Sequence, residues 1–257
     1  MTKALRRIYL IIMLIFLYAP IATLIVLSFN SSKTRAKWGG FTFKWYVSLF
    51  QNSDIMNALY TTLSIALLSS LIAVVIGLFA CIGLNAMKKT PRNLMIGVTN
   101  IPMLNADIVT GISLMLLFLS LNLKFGFGTI LLSHITFNIP YVILSIMPRY
   151  KNLNSSVFEA ALDLGASRVG AFVKVVLPEL FPGILSGFLL AFTMSIDDFI
   201  ITHFTKGPGI NTLSTKIYTE VKKGIKPEMY ALSTIIFLAV LILLVLINRP
   251  TSDKESK

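Results

Sequence analysis

Residues 156–178 read SVFEAALDLGASRVGAFVKVVLP, a polar and charged stretch set between two long apolar runs. Chains rich in membrane spans ordinarily join those spans by short connections. An amphipathic connection of this length therefore points to a surface held by another protein. Ser156 and Glu159 have the S-x-x-E spacing of a capping box, in which each side chain satisfies a backbone donor of the first helical turn. Gly165 follows two turns later, where a left-handed residue ends a helix and turns the chain. Leu177-Pro178 is expected to stop the next helical run.

The flanking sequence sets the class. Apolar residues make up 55% of the 257 and charged residues 13%, too little charged surface for a soluble domain of this size. Six segments qualify as membrane spans: 8–29, 59–86, 94–121, 128–147, 180–202 and 230–247. Each holds about 18–28 residues, enough to cross a hydrocarbon core of about 30 Å at a rise of 1.5 Å per residue. The expected fold is all-α: a single membrane domain over 1–257 with six transmembrane helices and a cytoplasmic helical segment at 156–178.

Lys3, Arg6 and Arg7 before the first apolar run resemble the start of a signal peptide, but the run is too long and lacks a small-x-small cleavage site. It reads as an uncleaved first span. The total of basic residues on the two sides of the membrane barely discriminates orientation. The N-terminal cluster and the short 88–92 loop sit next to span ends, where positive charge matters most, and favour both termini inside.

The net charge of +12 is scattered among loops rather than gathered in a patch, which favours anionic membrane lipid over nucleic acid as its partner. The single Cys81 lies in the second span and cannot form an intramolecular disulfide. No G-x-x-x-x-G-K-[ST], H-E-x-x-H or G-x-S-x-G occurs, and His134 and His203 have no Cys or second His at ligand spacing. The reading is therefore of no catalytic residue, no metal site and no cofactor in this chain. His134 reads as a hydrogen-bonded residue facing the bundle.

Asp107, Asp197 and Asp198 fall inside predicted spans, where an ionisable residue is costly unless paired or facing water. Counted along straight helices from Leu94 and Pro182, Asp107 lies about 20 Å up its span and Asp197 about 22 Å up its own. Two spans thus place acids at one depth. On a helical wheel Asp198 turns about 100° from Asp197, toward Ser195 and Thr202. Asn100, Asn105, Asn138 and the break at Pro102 add polar or irregular backbone nearby. Acids with no embedded base suit a cationic solute, and suit oxyanions such as sulfate or phosphate poorly. Asp107, Asp197, Asp198 and Ser195 are the candidate pathway residues. Trp45, with Trp38 and Tyr46, lies between the first two spans, where aromatics favour the membrane interface. Contact with an entering cation is the other reading of Trp45.

These residues also carry a resemblance. Glu159-Ala160-Ala161, three residues, Gly165, nine residues, then Val175-x-Leu177-Pro178 resembles the EAA signature of permease subunits in binding-protein-dependent ABC importers, with Val175 where Ile is usual. Six further stretches, SFNSS (28–32), GFTFKWY (40–46), PMLNADIV (102–109), SHITFNIPY (133–141), FTMSIDDFI (192–200) and KIYTEVKKGIKPE (216–228), are similar to the C-type permease of spermidine/putrescine importers. The resemblance implies a multi-pass permease of the cytoplasmic (inner) membrane that pairs with a second, different permease. It further implies a cytoplasmic ATPase dimer, which binds ATP and Mg and grips Glu159, Ala160, Ala161, Gly165, Leu177 and Pro178, and an extracytoplasmic polyamine-binding protein. A permease for another cationic or small solute is the alternative. A membrane enzyme would need a reactive constellation that is missing, and a scaffold would not need acids at matched depth.

Overall fold

The structure, a computed structural model, describes residues 3–34 and 36–247. Helices follow one another as α1 Lys3–Ser28, α2 Lys44–Gln51, α3 Ser53–Ala86, α4 Lys89–Leu104, α5 Asp107–Ser120, α6 Phe127–Lys151, α7 Ser155–Asp163, α8 Arg168–Ala171, α9 Leu177–Asp197, α10 Ile200–Thr205, α11 Leu213–Lys223 and α12 Pro227–Ile247. The chain divides into two compact units, Met1–Met56 with Ile217–Lys257, and Asn57–Lys216.

In the first unit α12 packs against α1 and α2. Ser48 Oγ of α2 donates to Glu228 at the start of α12 at 2.6 Å, and Asn52 Nδ2 donates to the same carboxylate at 3.4 Å. The loop after α1 is organised by Asn30. Its amide donates to the Lys37 carbonyl, and its Oδ1 accepts from the N–H groups of Ser32 and Gly39. Phe29 and Phe41 stack face to face, with Phe43 edge-on to both. Trp45 is 6% exposed, and its indole N–H donates to the Asn30 carbonyl at 2.7 Å, so its polar handle is satisfied within the protein. Trp38, Phe41 and Phe43 are the exposed aromatics of this loop.

In the second unit α6 lies against α9, and the core joins Val142, Ile143, Ile146 and Met147 of α6 to Leu180 and Ala191 of α9 and to Ala73, Cys81 and Leu84 of α3. Lipid tails are as apolar as these side chains, so close van der Waals contact rather than water exclusion holds such helices together. Small residues permit it: a Cβ on Gly187 would stand 3.4 Å from the Val142 Cα, and one on Gly183 would stand 3.2 Å from the Ser145 carbonyl oxygen.

Two expected spans are not straight. The third is a pair, α4 and α5, bent by 104°. Pro102 withholds a backbone donor from α4, and Asn105 and Ala106 then adopt extended geometry, with ψ of 150° and 137°. Asp107 consequently opens α5 instead of riding mid-helix. The fifth ends at Asp197, because Asp198 is extended, with ψ of 127°. A depth counted along one straight helix does not apply to Asp107, and a wheel angle carried past Asp197 does not apply to Asp198. Of the six spans, α1 from Leu5, α3, α6 and the continuous helix Arg168–Asp197 are each long and apolar enough to cross a membrane, and the bent pair makes a fifth. The sixth expected span corresponds to α12, of which Pro227–Ile242 is a shorter apolar helix.

The 156–178 segment departs from its sequence reading at both ends. Its cap is Asn154, whose Oδ1 accepts from the Ser156 N–H, so Ser156 lies inside the first turn and the Ser156–Glu159 capping box does not form. Asn154 satisfies the Ser156 N–H from the position that precedes the helix, where a box at Ser156 would have served the Glu159 N–H. Gly165 does close α7: with φ of +87° it donates to the Leu162 carbonyl, while the Ala166 N–H reaches back to Ala161. Pro178 does not stop the following helix. A π turn over Phe172–Val176, in which the Leu177 N–H reaches the Phe172 carbonyl, widens the helix just ahead of the proline, where an α turn would crowd the Lys174 carbonyl.

Candidate functional site

Asp107, Asp197 and Asp198 line one cavity of about 310 Å³ in the second unit. Asp107 comes from the start of α5, Asp197 from the end of α9, and Asp198 from the extended residue that follows. Pro102, Phe137, Met194 and Ile201 supply apolar wall, and Thr110 and Tyr141 add hydroxyls. No Lys or Arg lines it. The nearest lysine or arginine along the chain from Asp198 is Lys206, whose ammonium donates to Asn211 Oδ1 at 2.7 Å. The cavity thus presents negative charge beside hydrocarbon, a lining suited to a solute with separated cationic groups on an apolar stem.

The three acids are not equivalent. Asp107 and Asp197 are exposed. Asp198 has 8% of its side chain exposed and caps α10, accepting from the N–H groups of Ile201 at 3.2 Å and Thr202 at 2.8 Å. The Thr202 hydroxyl donates to it at 2.7 Å, and His134 Nε2 stands 3.4 Å away. Since the Thr202 proton is committed to the carboxylate, Thr202 Oγ1 must accept from His134 Nε2–H, at 2.9 Å. On the other side of the ring, Nδ1 meets Ser195 Oγ at 2.6 Å. Ser195 contacts Ser69 Oγ of α3 at 3.3 Å, and Asn138 Nδ2 donates to Ser69 at 3.3 Å. Ser195 therefore lies behind the cavity wall, in a buried polar chain that ties α3, α6, α9 and α10 together. Trp45 belongs to the other unit, within the packing described above.

The second candidate surface is the 156–178 segment. Glu159, Ala160, Gly165 and Pro178 are exposed, while Ala161 and Leu177 are half-buried. Leu164 is 89% exposed and Val169 73%, a presentation of large apolar side chains on a segment that also carries Glu159, Asp163, Arg168 and Lys174. Behind it, a cavity of about 670 Å³ is lined by Phe158, Phe172 and Val176 with Arg92, Lys151 and Arg168 at its charged edge.

Residues 1–250 match the family model described as "Binding-protein-dependent transport system inner membrane component". The chain belongs to this family. The permease is 38% identical over 239 residues to the spermidine/putrescine transport system permease protein PotC of Escherichia coli (strain K12), covering 93% of this chain and 90% of that protein. It is 38% identical over 242 residues to the putrescine transport system permease protein PotI of the same strain, covering 91% and 86%. The PotC homolog of Mycoplasma pneumoniae is 32% identical over 260 residues, covering 95% and 89%. A solved bacterial alginate ABC transporter, crystallised in complex with an alginate pentasaccharide-bound periplasmic protein, shares the fold with a TM-score of 0.71 at 18% identity, over 95% of this chain and 91% of that one.

The sequence of the permease points to all three acids but not to their unequal roles. Ser69 and Thr202 carry no signal of their own, and His134 shows only as a polar residue in an apolar run. What brings them together is the break at Asp198, which turns α10 so that Thr202 faces His134.

Proposed function

We propose that the permease is the membrane subunit of an ATP-driven importer of polyamines, spermidine or putrescine, working as one transmembrane domain over 1–257 in the cytoplasmic membrane with both termini inside. The observation that carries this reading is the cavity in which Asp107 and Asp197 present carboxylates beside apolar wall with no base in the lining. A polyamine is a flexible hydrocarbon with ammonium groups at intervals, so carboxylates from separate helices can hold its ends in turn. Binding has to remain weak enough for release. The names of the PotC and PotI relatives support the same substrate class.

In this reading the permease pairs with a second, different permease and receives its solute from an extracytoplasmic binding protein. A cytoplasmic ATPase dimer binds ATP and Mg, and this chain holds no cofactor. The ATPase grips α7, where Glu159, Ala160, Ala161 and Gly165 form the docking face, with Leu177 and Pro178 at the base. The exposed Leu164 and Val169 support a partner there, since large apolar side chains on a polar segment are ordinarily covered. Asp198 contributes to the pathway as part of the acidic wall, and Ser195 from behind it. For Trp45, with its ring buried, the role in this reading is to hold the loop after α1.

The test is uptake of labelled putrescine and spermidine by the complete assembly in proteoliposomes. Asp107→Asn and Asp197→Asn keep shape and remove charge. Each should lower uptake about tenfold, the effect of about 1.4 kcal/mol, while abundance and assembly stay at wild-type levels. Wild-type uptake in both variants, or transport of a different solute with none of either polyamine, would overturn the reading.

A further inference from the structure

We infer that His134 is a positioning residue: it commits Asp198 to the scaffold as the cap of α10 and so leaves Asp107 and Asp197 as the carboxylates that meet the substrate. This rests on the transport reading above for the identity of the substrate, but its geometry stands independently.

The argument begins with the capacity of a carboxylate. Two oxygens offer about four lone-pair sites. Asp198 Oδ2 already takes the Thr202 N–H at 2.8 Å, the Thr202 hydroxyl at 2.7 Å and, at 3.4 Å, the edge of His134, while Oδ1 takes the Ile201 N–H at 3.2 Å. These donors leave at most one open lone pair, on Oδ1 of a side chain 8% exposed, so an ammonium group arriving at Asp198 would compete with donors that hold the first turn of α10. Asp107 and Asp197 have neither an ion pair nor a hydrogen bond among the described residues, and both are exposed in the same cavity. Two adjacent aspartates thus do different work. The chain break that separates them makes this possible, since Asp197 ends one helix and Asp198 caps the next.

His134 is the residue that sustains this division. It is 1% exposed, and it grips both sides of the break: Nδ1 meets Ser195 on α9 at 2.6 Å and Nε2 donates to Thr202 on α10 at 2.9 Å. A buried donor or acceptor left without its partner carries the full desolvation penalty. Removing the imidazole would therefore loosen Ser195 and Thr202 together and free Asp198 to turn into the cavity. No other side chain of α6 shares these contacts. Besides Asp198, the one lining side chain that His134 meets is Phe137, one turn along the same helix with ring centroids 5.1 Å apart, so any effect of His134 on charge in the cavity passes through the carboxylate.

The experiment has two arms. In the first, the full chain is labelled with ¹⁵N-histidine. The permease has two histidines, so His203→Gln leaves His134 alone in the spectrum. The expected signature is a proton on Nε2, with a resonance that moves in Asp198→Asn; an unprotonated Nε2, or a resonance indifferent to Asp198→Asn, overturns the inference whatever solute is carried. In the second arm the reconstituted assembly is scored for polyamine uptake per ATP hydrolysed. His134→Leu and Asp198→Asn should each lower that ratio about tenfold, and the double variant should be no worse than either, because both break one unit. His134→Gln, which keeps a donor near the Nε2 position, should recover most of the loss. Multiplying losses in the double variant, or His134→Leu that lowers abundance while leaving the ratio at wild type, would show a merely structural histidine. A wild-type assembly that moves no polyamine would instead defeat the transport reading and leave the first arm to judge His134.

Discussion

Val142 of α6 is wholly buried between two glycines, and this arrangement predicts a compensating pair of substitutions. A Cβ added to Gly77 of α3 would stand 2.6 Å from Val142 Cγ1 and 3.1 Å from its Cβ, well inside contact distance. Valine in a helix has one strongly preferred χ1 rotamer, so the methyl cannot swing aside cheaply. On the other face a Cβ on Gly187 would meet the Val142 backbone at 3.4 Å, so α6 has little room to retreat. Overpacking of this kind costs about 3 kcal/mol at the upper end, and the better helix propensity of alanine returns about 1 kcal/mol. Gly77→Ala should therefore destabilise by about 2 kcal/mol. Val142→Ala removes two buried methyl groups and should cost about 2 kcal/mol by itself. In the double variant the new methyl occupies the space that Cγ1 vacated, so the overpacking cost disappears and the total should be about 1 kcal/mol rather than about 4, a coupling of about 3 kcal/mol. Apparent Tm of the purified chain in detergent, measured for all four proteins, reads this directly. Additive losses in Tm would refute the packing argument, and with it the view that α3 and α9 are held by close approach to α6.

The helical segment after α6 offers a contrast within one turn: Asn154→Ala should cost about 1 kcal/mol of α7 stability and weaken recruitment of the ATPase, whereas Ser156→Ala should be near neutral, both read from pull-down of the assembled complex. Gly165→Ala places a Cβ at φ of +87°, a strain of about 1–2 kcal/mol, and should lower uptake per ATP hydrolysed without lowering membrane insertion. Trp45→Phe keeps the ring and deletes the N–H that serves the Asn30 carbonyl, a loss of about 1–3 kcal/mol. Abundance in the membrane should fall while uptake per molecule stays unchanged, as quantitative blotting against transport would show.

Much of this protein is legible in one dimension. Apolar runs of span length, the acids within them and the 156–178 segment each rest on local composition or on spacing along a single helix, and the exit turn at Gly165 follows from one residue's freedom at positive φ. The resemblance that named the family likewise rests on contiguous motifs. What sequence reasoning missed are the places where the backbone departs from a straight helix. Pro102 announced a break, but not the 104° bend that delivers Asp107 to the mouth of α5. Nothing local predicts that the fifth span stops between two identical residues. Asp198 leaves the helix because donors from Ile201 and Thr202, and the edge of His134 sixty-four positions earlier, together outweigh one more turn of α9. The burial of Trp45 is invisible in the sequence for the same reason: its partner, the Asn30 carbonyl, exists only once the loop has folded back. A hydrogen bond between distant residues has no period along the chain, so the division of labour among the three aspartates is decided by tertiary structure alone.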